Sequence, residues 1–323
     1  MFALKHEFVE TNRIRMHFVE AGQGPLVVLC HGFPESWYSY RHQISALAEA
    51  GFRVVAPDQR GYGQTDKPTD IAAYNLFQLT GDVVGLVEAL GEAEAVIVGH
   101  DWGAPVAAYS CVLRPDIFRA VALLSVPYIA NFGAGAKPPS EEMRQALGDD
   151  LEHYQNYFQE PGRAESELEQ DARRSLRMFL YSASGDAPAE ERWRIIFPRN
   201  ETFLQQCVDP ETLPPWLTEA DVEFFAAEFE KSGFRGGLNW YRNTDFFWEA
   251  SGFLNGAKLR QPALFVAGEH DAVLQMFPEA VADLETNVPN LRKKAIIPGA
   301  GHWIQQERPA EVNQLLIEFL RSL

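Results

Sequence analysis

The stretch "VIVGHDWGAPVAAYS", Val96 to Ser110, decides how this chain is read. A β-branched run climbs into Gly99-His100-Asp101-Trp102-Gly103 and turns at once into an Ala-rich helical pattern. The spacing G-x-nucleophile-x-G between a strand and a helix is the elbow on which a catalytic serine is often carried. Small residues two before and two after the centre let the strand and helix backbones approach closely enough for a strained turn. Gly99 and Gly103 meet that need, and Pro105 suits the first helical turn because its missing N–H costs nothing there. Here an aspartate stands in the middle. Taken alone, G-x-D-x-G also fits an aspartate that merely caps a helix. Its place between a buried strand and a helix favours the elbow.

Working outward, the segments from Lys5 to Glu20 alternate around Thr11-Asn12 and predict an antiparallel hairpin. Continuous apolar runs follow at "PLVVLCHG" (Pro25–Gly32), "FRVVAPD" (Phe52–Asp58), from Glu94 through the elbow, and at "RAVALLSVP" (Arg119–Pro127). Such runs mark parallel strands buried on both faces. Helical patterns separate them around Arg41–Ala50, Leu76–Leu90 and Ala104–Leu113, so a mostly parallel, doubly wound sheet is expected. The alternation breaks near Tyr128. From there to about Trp248 the chain is helix-rich, polar and aromatic, with no clear buried strand. It resumes with "QPALFVAGEHD" (Gln261–Asp271), "KKAIIPGAGHW" (Lys293–Trp303) and a closing helix Ala310–Leu323. The expected organisation is a core formed by 1–130 and 251–323, interrupted by a helical cap at 131–250.

Composition narrows the function. The 323 residues are 46% hydrophobic with a formal charge of −17, which argues against nucleic acid and anionic membranes as partners. The N-terminal stretch has no apolar core of signal-peptide length, and no run of about 18 apolar residues suggests a membrane span. Three scattered cysteines (Cys30, Cys111 and Cys207) form no metal spacing and no disulfide framework, which fits a reduced cytoplasm. Cys30 and Cys111 read as small buried hydrophobes. "DQRGYGQTDKP" (Asp58–Pro68) is Gly-rich but lacks the lysine and spacing of a phosphate loop, and reads as a turn in which Asp58 and Arg60 pair.

A nucleophile elbow needs a base, and the base needs an orienting group. Asp271 and His302 each follow a buried run, so both are expected just past the carboxyl ends of strands, where sites in such sheets form. Glu269 is the competing carboxylate, weakened by its position inside the strand. Among the other histidines, His6, His17 and His42 fall on surface-like patterns. The loop "HGFPESW" (His31–Trp37) also follows a strand, so the Phe33 amide, with that of Trp102, is expected to form an oxyanion hole. His31, Pro34, Trp37 and Trp303 are expected to line the substrate pocket.

The motifs "HGFPESWYSYRHQ", "DQRGYGQTDKP", "VGHDWGAPVA", "GEHDAVL" and "GAGHWIQQERP" resemble those of the epoxide hydrolases of the α/β-hydrolase superfamily. In the cap, "YQNYFQEPGRAESELEQD" (Tyr154–Asp171) and "KSGFRGGLNWYRN" (Lys231–Asn243) are similar to the soluble epoxide hydrolases specifically. The resemblance runs from Lys5 to Leu323; the core motifs are shared with haloalkane and haloacetate dehalogenases, and the cap motifs discriminate. Departures are small: Ala104 and Gly237 stand where glycine and proline are common, which bears on pocket shape. The chain is expected to lack the extra N-terminal phosphatase domain of the vertebrate soluble enzymes.

An aspartate is already ionised at neutral pH, with a reference pKa of about 3.9, and suits displacement at a saturated carbon better than attack on an amide. The product would be an alkyl ester of Asp101, which His302, oriented by Asp271, could hydrolyse by activating water. An epoxide opens to a poor alkoxide leaving group and needs a proton donor. The resemblance places that role on Tyr154 and Tyr241, with Tyr157 one helical turn from Tyr154 as the competing position. A dehalogenase, the alternative reading, would want halide donors such as the Trp102 indole and no tyrosine pair. Cap aromatics including Trp193, Phe203, Trp216, Phe246 and Trp248 suggest an apolar pocket, though many belong to the core. The expected partners are a small apolar epoxide and water, with a homodimer left open and neither cofactor nor metal required.

Overall fold

The computed structural model describes residues 4–323; the first three residues of the expected N-terminal core segment lie outside the described residues. Eight strands form one sheet: β1 (Lys5–Thr11), β2 (Ile14–Ala21), β3 (Leu26–Cys30), β4 (Arg53–Pro57), β5 (Ala95–His100), β6 (Phe118–Leu124), β9 (Ala263–Gly268) and β10 (Leu291–Ile297). Between β6 and β9 a short hairpin pairs β7 (Leu151–His153) with β8 (Ile196–Pro198). The sheet order is β1-β2-β4-β3-β5-β6-β9-β10. All pairings from β4 to β10 are parallel, and β1-β2 and β2-β4 are antiparallel. The fold is thus α/β, a mostly parallel sheet with an inserted helical region.

Strand alternation explains why the sheet is covered twice. On β5, Val96 and Val98 face one side with α1 (Arg41–Glu49) and the closing helix Pro309–Arg321. Ile97 faces the other side with α2 (Leu76–Ala89), α3 (Gly103–Leu113) and the cap. Successive side chains point to opposite faces, so a strand apolar at every position must have a layer on each. Each such valine or isoleucine stabilises the fold by about 1.5–3 kcal/mol on burial. The hairpin turn falls on Asn12-Arg13, both at positive φ, one residue beyond the expected Thr11-Asn12.

Two expectations are corrected. Asp58 does not pair with Arg60. It is fully buried and accepts from His17 Nδ1 at 2.7 Å and from the Trp37 amide, whereas Arg60 turns the other way and pairs with Asp82 on α2. His17 is buried rather than on the surface, because β2 lies inside the sheet between β1 and β4. The three cysteines are buried and unpaired, and burial pushes the Cys30 and Cys111 thiols up.

Candidate active site

The elbow forms where β5 ends. Asp101 has φ +50°, a left-handed conformation that a non-glycine residue adopts only when its surroundings impose it. A Cβ on Gly99 would collide with the Gly103 carbonyl, and one on Gly103 with the Cys30 carbonyl, so β5, α3 and β3 meet only through glycine. The turn lifts the Asp101 carboxylate to the carboxyl edge of the sheet, 8% exposed at the base of a cavity of about 420 Å³.

His302 follows β10 and Asp271 follows β9, and the sheet order brings both beside the elbow. His302 Nε2 lies 3.6 Å from Asp101 Oδ2, and Nδ1 lies 3.1 Å from Asp271 Oδ1. Burial alone would lower the His302 pKa, but the Asp271 charge and the Asp101 carboxylate hold it well above its ordinary value. Burial would likewise raise Asp271. The His302 charge and hydrogen bond, the Ser125 hydroxyl and the Val273 amide instead hold it below the usual carboxylate range. Glu269 is exposed and accepts from the Gly299 amide, so the competing carboxylate is directed away.

The Phe33 amide donates to Asp101 Oδ1 at 2.8 Å. Trp102 opens α3, and among the described residues no acceptor meets its amide. Helix starts leave such N–H groups free for an anion. The Phe33 amide therefore rests on the carboxylate, and the free Trp102 amide adjoins it in the chain.

The cap supplies the opposite wall. Tyr154 lines the cavity and Tyr241 is buried beside it, their rings 5.9 Å apart. Tyr241 meets Phe33 and Trp102 edge-on at 5.5 and 5.1 Å. Burial and then the Asp101 charge push both phenols above their ordinary pKa; a hydrogen bond with the Trp102 indole opposes this at Tyr241. Both tyrosines therefore remain protonated. The Gln155 amide donates to the Tyr154 oxygen at 3.2 Å, which leaves that phenol's own proton free to be given elsewhere. Tyr157, by contrast, does not line the cavity and donates to Glu167 at 2.9 Å under the Arg163 guanidinium.

His31, Pro34, Trp37 and Trp303 do not line this cavity. His31 bonds its own loop and the Gln59 amide. Trp37 packs on Tyr38 and Phe224 in the opposite layer. The Trp303 indole donates to the Leu180 carbonyl. Their backbones pass the site while their side chains go into the layers around it. The lining is instead largely apolar, with Leu76, Val126, Ile129, Met143, Ile195 and Phe247 among it.

Sequence reading missed Ser125. At the end of β6, with φ +72°, it places its hydroxyl 3.0 Å from His302 Nδ1. It missed Glu35 as well, a fully buried carboxylate that accepts from the Gly32 amide, His100, Gln305 and Gln306. His100 in turn reaches the His302 carbonyl at 2.8 Å, so this network ties the first loop to His302. The only signal for either lay in adjacency to a motif.

The family described as alpha/beta hydrolase fold matches residues 25–309. Epoxide hydrolase A of Mycobacterium tuberculosis is 42% identical, over 100% of this chain and 99% of that protein. Bifunctional epoxide hydrolase 2 of Sus scrofa is 41% identical over 99% of this chain and 56% of that protein. The solved structure of an epoxide hydrolase from an endophytic Streptomyces superposes with a TM-score of 0.94 at 46% identity, over 98% of this chain and 95% of that one.

Proposed function

The chain belongs to the α/β-hydrolase fold family and is an epoxide hydrolase within it, and from that premise we propose how its residues divide the reaction. Asp101 is the nucleophile. Its Oδ1 already rests on the Phe33 amide and becomes the ester carbonyl oxygen, so Oδ2 attacks a ring carbon. The C–O bond of the ring breaks, its electron pair goes to the ring oxygen, and Tyr154 with Tyr241 supplies the proton. Water then attacks the ester carbon while His302 Nε2 takes its proton, and the Phe33 and Trp102 amides hold the oxyanion. Collapse breaks the bond to the substrate oxygen, which takes the proton held by His302 and leaves as the vicinal diol. The proton remaining on the Asp101 acid returns to the tyrosinate, restoring Asp101, His302 and the phenol.

One electrostatic event links the two halves. Esterification removes the Asp101 charge, which is among the influences holding both His302 and the two phenols at raised pKa. The loss therefore makes the tyrosines better acids as the alkoxide forms and frees His302 to become a neutral base. The observation that carries this reading is the carboxylate held between the Phe33 amide and His302, facing Tyr154 across an apolar cavity. A dehalogenase reading is not favoured, because two buried phenols stand beside the cavity that holds Asp101, proton donors that a departing halide does not need.

The test is a single turnover with excess enzyme in H₂¹⁸O. Label on the Asp101 peptide and not in the diol supports the ester route; label in the first-formed diol sinks it. In the same reading the substrate is small and apolar, as the lining supports, and the enzyme is cytoplasmic, as three unpaired thiols support. Among the described residues no helix is long and apolar enough to cross a membrane. Domain limits at 130/131 and 250/251 and a homodimer complete the proposal, the last open to light scattering.

A further inference from the structure

We propose that His153 is a substrate-recognition residue, a hydrogen-bond donor that selects epoxides carrying an acceptor oxygen (ether, hydroxyl or carbonyl) a few bonds from the ring. The inference rests on the ring-opening reading above and deepens it by naming a substrate class. His153 lines the cavity and is 5% exposed. Its Nδ1 accepts the Gln155 backbone N–H at 3.2 Å, so the ring proton resides on Nε2. Among the described residues no protein acceptor meets Nε2. Burial lowers its pKa to about 4, so the ring is a neutral donor at working pH.

Apart from Tyr154 and the Trp102 indole, which stand next to Asp101 and Tyr241 where the ring opens, the other polar side chains around the cavity are engaged. Tyr74, Tyr109 and Tyr128 donate to the carbonyls of Pro68, Ile129 and Ala257. Trp240 donates to Arg60, Asn243 to Ile71 and Asn239, and Thr244 to Tyr241. Gln275 is exposed at the rim. Among the described residues His153 is thus a buried donor left over beyond the groups that meet the reacting ring. Its ring lies 4.8 Å from that of Tyr154, so an oxygen bound there is close to the ring being opened. An all-carbon substrate strips water from Nε2–H and gives nothing back, whereas an acceptor oxygen replaces that water.

Phenyl glycidyl ether and 2-(2-phenylethyl)oxirane differ only by O in place of CH₂, and the ratio of their kcat/KM values reads the interaction. H153N keeps an acceptor for the Gln155 amide but loses the donor at the Nε2 position, and H153Q does the reverse. Relative to the unaltered enzyme, the ether-to-carba ratio is expected to fall about fivefold in H153N, the ordinary worth of a neutral hydrogen bond, and to stay within about twofold in H153Q. H153F, close in shape and without either polar atom, should show the same fall as H153N. An unchanged ratio in both H153N and H153F overturns the inference while leaving the activity standing. Failure of the unaltered enzyme on both epoxides overturns the ring-opening reading, and the inference with it.

Discussion

On the sheet side of the cavity, Asp101, Asp271 and His302 stand at the ends of three parallel strands with ladders holding them in register. On the cap side, Tyr154 follows a three-residue strand and Tyr241 ends a seven-residue helix. The two sides solve different problems. Charges and a proton acceptor must be held within fractions of an ångström, because their interaction falls steeply with distance and geometry. The sheet supplies that rigidity. Two neutral phenols need only be dry and close, and edge-on aromatic contacts with Phe33, Trp102 and Phe158 are enough to place Tyr241. In the proposed division of the reaction, nucleophile and base are therefore fixed by backbone, and the acid by packing.

Breaking the sheet side should cost most. Asp101→Ala removes the reacting atom, and turnover of styrene oxide should fall at least about 10⁴-fold with the fold intact by circular dichroism. Residual activity above about one percent would mean that water attacks the ring directly. His302→Gln should lose about 10³-fold in turnover yet still open the ring, so intact-mass analysis should find one substrate mass added at Asp101. No adduct would break the division of labour between the two sides.

The cap side should respond more softly. Tyr154→Phe and Tyr241→Phe are each expected to slow ester formation by about 10–100-fold, because the partner phenol remains, and the double variant should lose more than either. Stopped-flow tryptophan fluorescence reads that step, and full single-variant rates would remove the tyrosines from the chemistry. The smallest effect belongs to Ser125→Ala, about 3–10-fold and confined to ester hydrolysis, since the hydroxyl only steadies His302 against Asp271. A matched loss in ring opening would make Ser125 a packing residue.

Titration separates the sides again. The Asp101 and Asp271 charges raise the His302 pKa in the resting enzyme, and esterification removes the first. Ester hydrolysis measured in a single turnover should therefore rise with pH and level off once His302 is deprotonated in the ester state. Ring opening should not follow that limb. A common pH profile for both steps would contradict the charge-linked sequence.

Much of the sheet side was legible. Buried strands announce themselves by continuous apolar runs, and Asp101 and Asp271 follow such strands. His302 instead follows β10, an edge strand in which only Ile297 is buried, so the expected buried run before it is corrected by the structure. The cap was legible in part. Tyr241 and Tyr154 came from resemblance, and the β7-β8 hairpin that positions His153 and Tyr154 left no trace, being three residues a side with its partner far along the chain. The pocket was read wrongly, because adjacency to a motif places a backbone and says nothing of where the next side chain turns.

By itself, then, the amino-acid order determined the sheet, the elbow and the identity of the three charged residues, because these depend on local periodicity and on glycine at fixed offsets. Only the tertiary structure decided which side chains face the cavity, that Ser125 touches His302, and that His153 is left with an unanswered N–H. Those facts depend on which distant segments fill the space around each group, and no local pattern encodes that.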